Sequence, residues 1–345
     1  MPTSSHYPPS ILVYGAYGHT GRFIVTELLE RGFKPVLSGR DHQQLAEMSI
    51  RHGGLRTREA TLDDPNALDA AIAGAAAVIN AAGPFAITAT PLIEAAVRTG
   101  RPYLDIAAEP DIVAATIEAH AAGAQAAGIA LVPAAAFYGG LGDLLATAVM
   151  GDWRQADSIT LAFALSSWKP TRGTRVTIEV AEQRRAGGRL VFSDQRLQLR
   201  RDSALVADWD FPPPVGRQQV VTEFTTGDSI TISRHLKVAA IHELMTLKPL
   251  KDLDDPDHAA PAAVDGRGRS SQTFMIQAIV QAGDRQRRGV IRGQDIYAVS
   301  APLVVQGLIR VLENPRPGVS SLGQLGDARQ FLQALAPEHL TLDID

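Results

Sequence analysis

The chain has 345 residues, 45% of them hydrophobic and 20% charged, with a formal net charge of -4 and no cysteine. That length predicts two domains, or one with a large insertion, and the composition excludes a disordered chain. Lack of cysteine excludes disulfides, a thiolate nucleophile and thiolate-held metal. The mildly acidic balance offers no field for nucleic acid, so a small-molecule substrate is the expected partner.

Residues 1–10 lack the basic and apolar stretches of a signal peptide and read as a flexible tail, which predicts a cytoplasmic protein. Two uncharged runs, 70–93 and 121–142, are alanine-rich and broken by Gly83-Pro84 or by Pro133 and Gly139-Gly140. A bilayer span needs about 20 residues of stronger, unbroken hydrophobicity, so no membrane partner is expected.

From Ile11, short apolar runs alternate with longer helix-patterned ones. The spacing predicts strands near 11–15, 34–38, 55–60, 76–82, 102–106 and 129–133. Helices are predicted at 20–31, 42–52, 65–73, 89–99 and 112–127. Gly32 and Gly100 read as helix ends, Asp41 and Asp64 as N-caps, and Pro65 as a first helical residue. This is the α/β pattern of a doubly wound, parallel-sheet Rossmann domain over 11–150.

The turn GAYGHTG, Gly15 to Gly21, joins the first strand to the first helix. Gly15 suits a tight turn, Gly18 lets backbone amides approach a pyrophosphate, and Gly21 lets the helix pack closely on the sheet. Tyr17, Gly18, His19 and Thr20 would line the phosphate seat. The alternative is a strand-to-helix turn without a ligand. At the end of the second strand, VLSGRD carries Ser38 and Arg40 where an NAD site carries an acid. A hydroxyl and a guanidinium suit a ribose 2′-phosphate, so NADPH is expected over NADH, Asp41 being assigned to the next helix cap. Arg40 as a solvated surface residue stays open. Asp63, past the third strand, suits an adenine amino group or a plain turn.

The stretch VINAAGPFAITATPLIEAAVRTGRPYLDIAAEP, 78–110, resembles the NADP-binding domain of the saccharopine dehydrogenase-like oxidoreductases. The pattern that this stretch resembles is an Asn-x-x-Gly-Pro-Phe turn after a strand, then a helix, then His-Tyr-x-Asp near a Gly-Glu. With GAYGHTG and SGR it extends over roughly 11–150. Arg101-Pro102-Tyr103 and Ala108-Glu109 depart from that pattern. The resemblance implies an NADP-dependent oxidoreductase fold, in a family whose members act on substrates as different as amino-acid imines and lipid enoyl groups.

The turn Asn80, Ala81, Ala82, Gly83, Pro84 lies at the carboxyl end of a central strand, where open α/β sheets bind ligands, and would wall the ribose and nicotinamide. Phe85 is read as substrate-binding or as core. Tyr103 and Asp105 alternate to one face at the end of strand five and are candidate catalytic residues. Glu109 and Asp111 suit caps. After strand six come Phe137 and Tyr138, then Gly139-Gly140. Tyr138 is the leading candidate proton donor, the alternative being a packed tyrosine at a domain junction. No tyrosine has a lysine four residues on, which argues against the short-chain dehydrogenase mechanism.

Beyond about residue 151 the rhythm changes to β-type segments such as SITLAFAL, GRLVFSD and TFMIQAIVQAG. A second α+β domain with an antiparallel sheet is expected over 151–295, for substrate binding and homodimer formation. Residues 254–271 read as a mobile loop, and 296–345 as C-terminal helices packing back on the first domain. Trp168 and Arg172, close to Lys169 and Arg175, are candidates for an anionic or aromatic substrate, with a solvated turn as the alternative. The arginines from 184 to 201 read as solvated surface, and the nine histidines show no metal spacing, so no metal is expected. The function expected is an NADPH-dependent reductase delivering hydride to a C=N, C=C or C=O group. The alternative is a non-catalytic dinucleotide redox sensor.

Overall fold

The computed structural model describes residues 8–255, 257 and 259–345. Residues 1–7 of the expected tail lie outside them, as do Pro256 and His258 of the expected mobile loop. The rest of that loop includes a turn in which Arg269 Nε donates to Asp265 Oδ2 at 2.7 Å.

The first half alternates β1 (Ser10–Tyr14), α1 (His19–Glu30), β2 (Lys34–Gly39), α2 (His42–Arg51), β3 (Thr57–Glu59), α3 (Pro65–Ile72), β4 (Ala77–Asn80), α4 (Phe85–Thr99), β5 (Tyr103–Asp105), α5 (Pro110–Ala126) and β6 (Ala130–Val132). A turn, Phe137–Leu141, then leads into α6 (Gly142–Met150). The second half runs β7 (Ala156–Leu165), α7 (Arg172–Arg185), β8 (Arg189–Ser193), β9 (Arg196–Arg200), β10 (Val206–Asp210), β11 (Arg217–Val221), α8 (Gly227–Ser233), β12 (Val238–Thr246), α9 (Leu247–Asp254), β13 (Thr273–Ala282) and β14 (Arg285–Gln294). It ends with α10 (Ser300–Glu313), β15 (Gly318–Val319), α11 (Ala328–Leu335) and β16 (Leu340–Ile344).

The first sheet is wholly parallel, in the order β15-β6-β5-β4-β1-β2-β3. Its strands are apolar on both faces: Ile11 and Val13 enter one buried cluster, Leu12 and Tyr14 the other. That is why these strands read as continuous apolar runs, and why helices cover both sides. The predicted caps form, Asp41 accepting from the Gln44 amide and Asp64 from those of Asn66 and Ala67. A fully buried Ile or Leu contributes about 1.5–3 kcal/mol. An exposed ion pair such as Arg98–Asp69 adds about 0–1 kcal/mol, so apolar layering holds this domain together. α4 starts at Phe85, four residues before its predicted start, and runs through Pro91.

The second sheet has the order β10-β11-β12-β7-β13-β14-β16 and is mixed, which corrects the antiparallel expectation. β12 pairs with β7 in parallel because the long crossover between them, through α7, two hairpins and α8, returns the chain to the starting edge. The segment after residue 296 is shared between the domains. α10 packs on α1 and β15 joins the first sheet, whereas β16 closes the edge of the second against β14. No helix of the described residues is long and apolar enough to cross a membrane.

Candidate cofactor and substrate cleft

The carboxyl ends of β1, β4, β5 and β6 form one edge, and each carries a turn from the sequence reading. In the β1 turn Gly15 has φ +79°, and its Cβ, if present, would lie 2.8 Å from that of Ala82. A Cβ on Gly21 would fall 2.2 Å from the Gly15 carbonyl oxygen, so α1 starts where only glycine allows it. Gly18 occupies the N-cap with no side-chain hydrogen bond, and the first turn of α1 carries no acid. Its leading amides and the helix dipole are therefore left for an anion. Tyr17 lies across Gly39 at the tip of β2, where a Cβ would come within 2.6 Å of the ring. The His19 ring meets Phe23 and Tyr297 edge-on, at 5.4 and 5.3 Å. Its Nε2 is buried without a partner, and burial lowers its pKa.

At the adenosine end, the Ser38 hydroxyl is buried and donates to the Arg58 carbonyl at 2.7 Å. It is thus committed to β3, so of the two residues expected to meet a 2′-phosphate only Arg40 has its side chain turned to solvent. Arg40 is exposed, and like exposed Asp63 it lies near enough to bias the Tyr14 phenol, which burial pushes up to about 12.

The turn after β4 hangs on a satisfied polar network. Asn80 Oδ1 accepts from the Ala82 amide at 3.0 Å, while its Nδ2 donates to Thr88 Oγ1 and, at 3.0 Å, to the Tyr103 hydroxyl. Tyr103 donates in turn to Asp105 Oδ2 at 3.1 Å. Asp105 Oδ1 accepts from the amides of Ala107 and Ala134, at 3.0 and 2.8 Å. Burial pushes the Asp105 carboxyl up to about 6 despite these donors. Tyr103 is 0% and Asp105 1% exposed. Both were expected to be catalytic; the structure instead makes them supports for the Asn80–Pro84 and Ala134 turns, because their polar atoms are consumed internally.

Tyr138 differs. It is 6% exposed, extended at φ −91° and ψ 130°, and followed by Gly139 at φ +92°. Rings surround it: Phe137 at 4.8 Å, Phe163 and Trp168 at 5.5 Å, Phe224 at 6.0 Å. Its hydroxyl is buried and has no hydrogen-bond partner. Burial first, then Tyr297 and the carboxylates of Asp228 and Glu243, holds the phenol well above the ordinary tyrosine value.

The second domain fixes this turn from behind. Asp228 Oδ2 accepts from the Gly139 amide at 2.7 Å, and Oδ1 from the Asp143 amide at 3.1 Å. Thr226 Oγ1 lies 2.9 Å from Asp228 Oδ2 and 2.6 Å from Glu243 Oε2. One hydroxyl proton cannot serve both acids at once, so the two buried carboxyls compete for it. This agrees with the upward shift that burial and mutual repulsion impose on Asp228.

α7 crosses the cleft as a bridge between the domains. The Tyr297 hydroxyl accepts from Trp168 Nε1 at 3.2 Å and lies 2.9 Å from Thr174 Oγ1 near the start of α7. Thr177 packs on Gly83, where a Cβ would come within 3.0 Å of Oγ1. Arg184 and Arg185 bind Asp111 on α5. Among the predicted substrate residues, Phe137 and Trp168 therefore meet Tyr138. Phe85 packs instead with Ile112 and Val113, and Arg172 is exposed at the start of α7. Sequence reasoning missed Tyr297, Thr88 and the Asp228–Glu243 pair. Only Thr226-x-Asp228, a helix-cap pattern, gave a local signal for the last.

The family described as Saccharopine dehydrogenase NADP binding domain matches residues 11–132. Among curated proteins nothing matches the chain. In structure it is similar to apo saccharopine dehydrogenase (L-Glu forming) from Saccharomyces cerevisiae, with a TM-score of 0.69 and 10% identity over 98% of this chain and 100% of that one. That likeness concerns the fold. A second similar structure is GenD2 from gentamicin A biosynthesis in complex with NAD, at 13% identity, 99% of both chains and a TM-score of 0.45.

Proposed function

From the premise that residues 11–132 belong to the saccharopine dehydrogenase-like NADP-binding family, we propose that this chain is an NADPH-dependent reductase of a small-molecule C=O, C=N or C=C group. The family supports the coarser statement, an NAD(P)-dependent oxidoreductase. The observation that carries the finer one is the orphaned Tyr138 hydroxyl at the end of the strand row that bears the glycine turn. The seat fits the cofactor: Gly15 and Gly21 leave no room for side chains, and the start of α1 is uncapped.

When bound, the dihydronicotinamide supplies the hydride. The chain's own residues bind, orient and protonate. The α1 amides hold the pyrophosphate, Arg40 pairs with the 2′-phosphate, and the Asn80–Pro84 turn walls the ribose side. Tyr138 Oη donates its proton to the substrate heteroatom, or to the carbon of a C=C bond, as the adjacent carbon gains hydride, and the phenolate regains a proton from water admitted when product leaves. A raised phenol pKa keeps Tyr138 protonated until that moment, and α7 with the second domain excludes water.

Replacing Arg40 by Ala tests the cofactor choice. NADPH should weaken by about 10–100-fold, the worth of a charge-assisted contact, with NADH unchanged. Equal losses would remove Arg40 from the 2′-phosphate site. A sensor without catalysis would bind NADPH but oxidise none with any carbonyl, imine or enal offered. A homodimer through the second domain remains our proposal for the assembly, and sedimentation measures it.

A further inference from the structure

A cavity lies between α5, α8 and the segment that follows β15. Its volume is about 50 Å³, room for roughly three or four waters, which is about the size of a phosphate ion. None of its lining residues belongs to the glycine turn, to the Asn80–Pro84 turn or to the rings around Tyr138, and none is an Asp or a Glu. The polar side chains in the lining are those of Thr231, Arg234, Ser320, Ser321 and Gln324.

These side chains face the cavity with protons to give. Thr231 spends its own on the Gly139 carbonyl, at 2.8 Å. Gln324 Oε1 accepts from the Ser321 amide at 3.0 Å, which leaves its Nε2 to donate elsewhere. Arg234 is exposed, and among the described residues no carboxylate pairs with it. Ser321 is the second, independent observation: the residue is 4% exposed, its hydroxyl is buried, and the hydroxyl proton has no acceptor. Ser321 caps the short helical turn Leu322–Gln324, where its oxygen faces the Gln324 amide as an acceptor, so the proton stays unused. The acid that approaches this region, Asp143, is closed off. It is 0% exposed, and its oxygens are taken by His235 Nε2 at 2.6 Å and by the Gly323 amide at 3.0 Å. Arg316, whose Nη1 donates to the Gln324 carbonyl at 3.3 Å, adds a second cation beside Gln324. A tetrahedral oxyanion presents acceptors on every side and a charge that a guanidinium matches, whereas a cation would find neither acceptor nor countercharge here.

We propose that this cavity is a phosphate site separate from the dinucleotide seat. Arg234 pairs with the ion, and the hydroxyls of Ser320 and Ser321 and the Nε2 of Gln324 donate to it. The ligand is inorganic phosphate or the phosphate of a small ester, and the claim does not rest on the reductase reading.

The test titrates sodium phosphate calorimetrically into the full chain, against sodium chloride at matched ionic strength, first alone and then with NADPH present. Saturable binding with a Kd of about 1 mM or tighter is expected, and it should persist with NADPH bound because the two sites share no residue. Arg234→Gln, at an exposed position, should weaken it at least about tenfold, and Ser321→Ala about three- to tenfold, with NADPH affinity unchanged in both. Glycerol 3-phosphate in place of phosphate identifies the source: tighter binding marks an ester as the ligand, weaker binding the free ion. No saturable binding, binding that both variants retain in full, or binding abolished by NADPH would each overturn the proposal, the last by placing the ion in the α1 seat. Failure of NADPH itself to bind would remove the reductase reading, and the two variants would still decide this claim.

Discussion

Two tyrosines belong to neighbouring strands of one sheet, Tyr103 opening β5 and Tyr138 standing in the turn after β6, and their surroundings differ. Tyr103 accepts from Asn80 and donates to Asp105, so every polar atom in its network has a partner. Tyr138 is held by rings and offers a hydroxyl to nothing. Burial raises both phenols, so the pKa does not separate them. Hydrogen-bond satisfaction does: the first is structural support, and the second is a group held ready for something else.

The sharpest way to break this contrast is Tyr138→Phe. Turnover should fall by about 10²–10⁴-fold, the usual worth of a general acid, while the melting temperature holds or rises because a buried unpaired hydroxyl is removed. A less stable variant with full turnover would reverse the assignment of the two tyrosines.

Next in size is the pH response of Asp105. Its native carboxyl is pushed up to about 6 from 3.8, so the folded state holds a proton that the unfolded chain has released in between. Stability from this group therefore falls as pH rises through that window, by about 3 kcal/mol, and levels above it. Asp105→Asn keeps an oxygen for the Ala107 and Ala134 amides and should lose that part of the decline in urea titrations across pH 4 to 7. Asp228 and Glu243 shift in the same direction and retain theirs. An unchanged slope in the variant would remove Asp105 as a source.

Tyr103→Phe is the smaller companion. It leaves Asp105 Oδ2 without its phenol donor and should cost about 1–3 kcal/mol by denaturation, with NADPH affinity reduced only as far as the Asn80–Pro84 turn loosens.

The sequence made the first domain legible because its signals are local. Ile11–Tyr14 is apolar on both faces, Asp41 and Asp64 cap in place, and Gly15 and Gly21 mark a turn with no room for a side chain at either position. The second sheet was less so, since strand direction depends on where a crossover of some seventy residues returns, and no local pattern encodes that. In the site, adjacency on a strand placed Tyr103 beside Asp105, but whether their polar atoms face a ligand depends on Asn80 and Thr88. The partners of Tyr138 arrive from residues 163, 168, 224 and 228, far along the chain, so its isolation could not be read from FYGG.

The central claim is that the Gly15–Gly21 turn seats the pyrophosphate of NADPH. Calorimetric titration of NADPH and NADH into the wild-type chain and into Gly21→Ala tests it most directly. The account predicts saturable one-site binding with NADPH favoured by about tenfold or more, and its loss in the variant, whose methyl would fall 2.2 Å from the Gly15 oxygen. No binding of either nucleotide, or a correctly folded Gly21→Ala protein that binds as well as wild type, would contradict it.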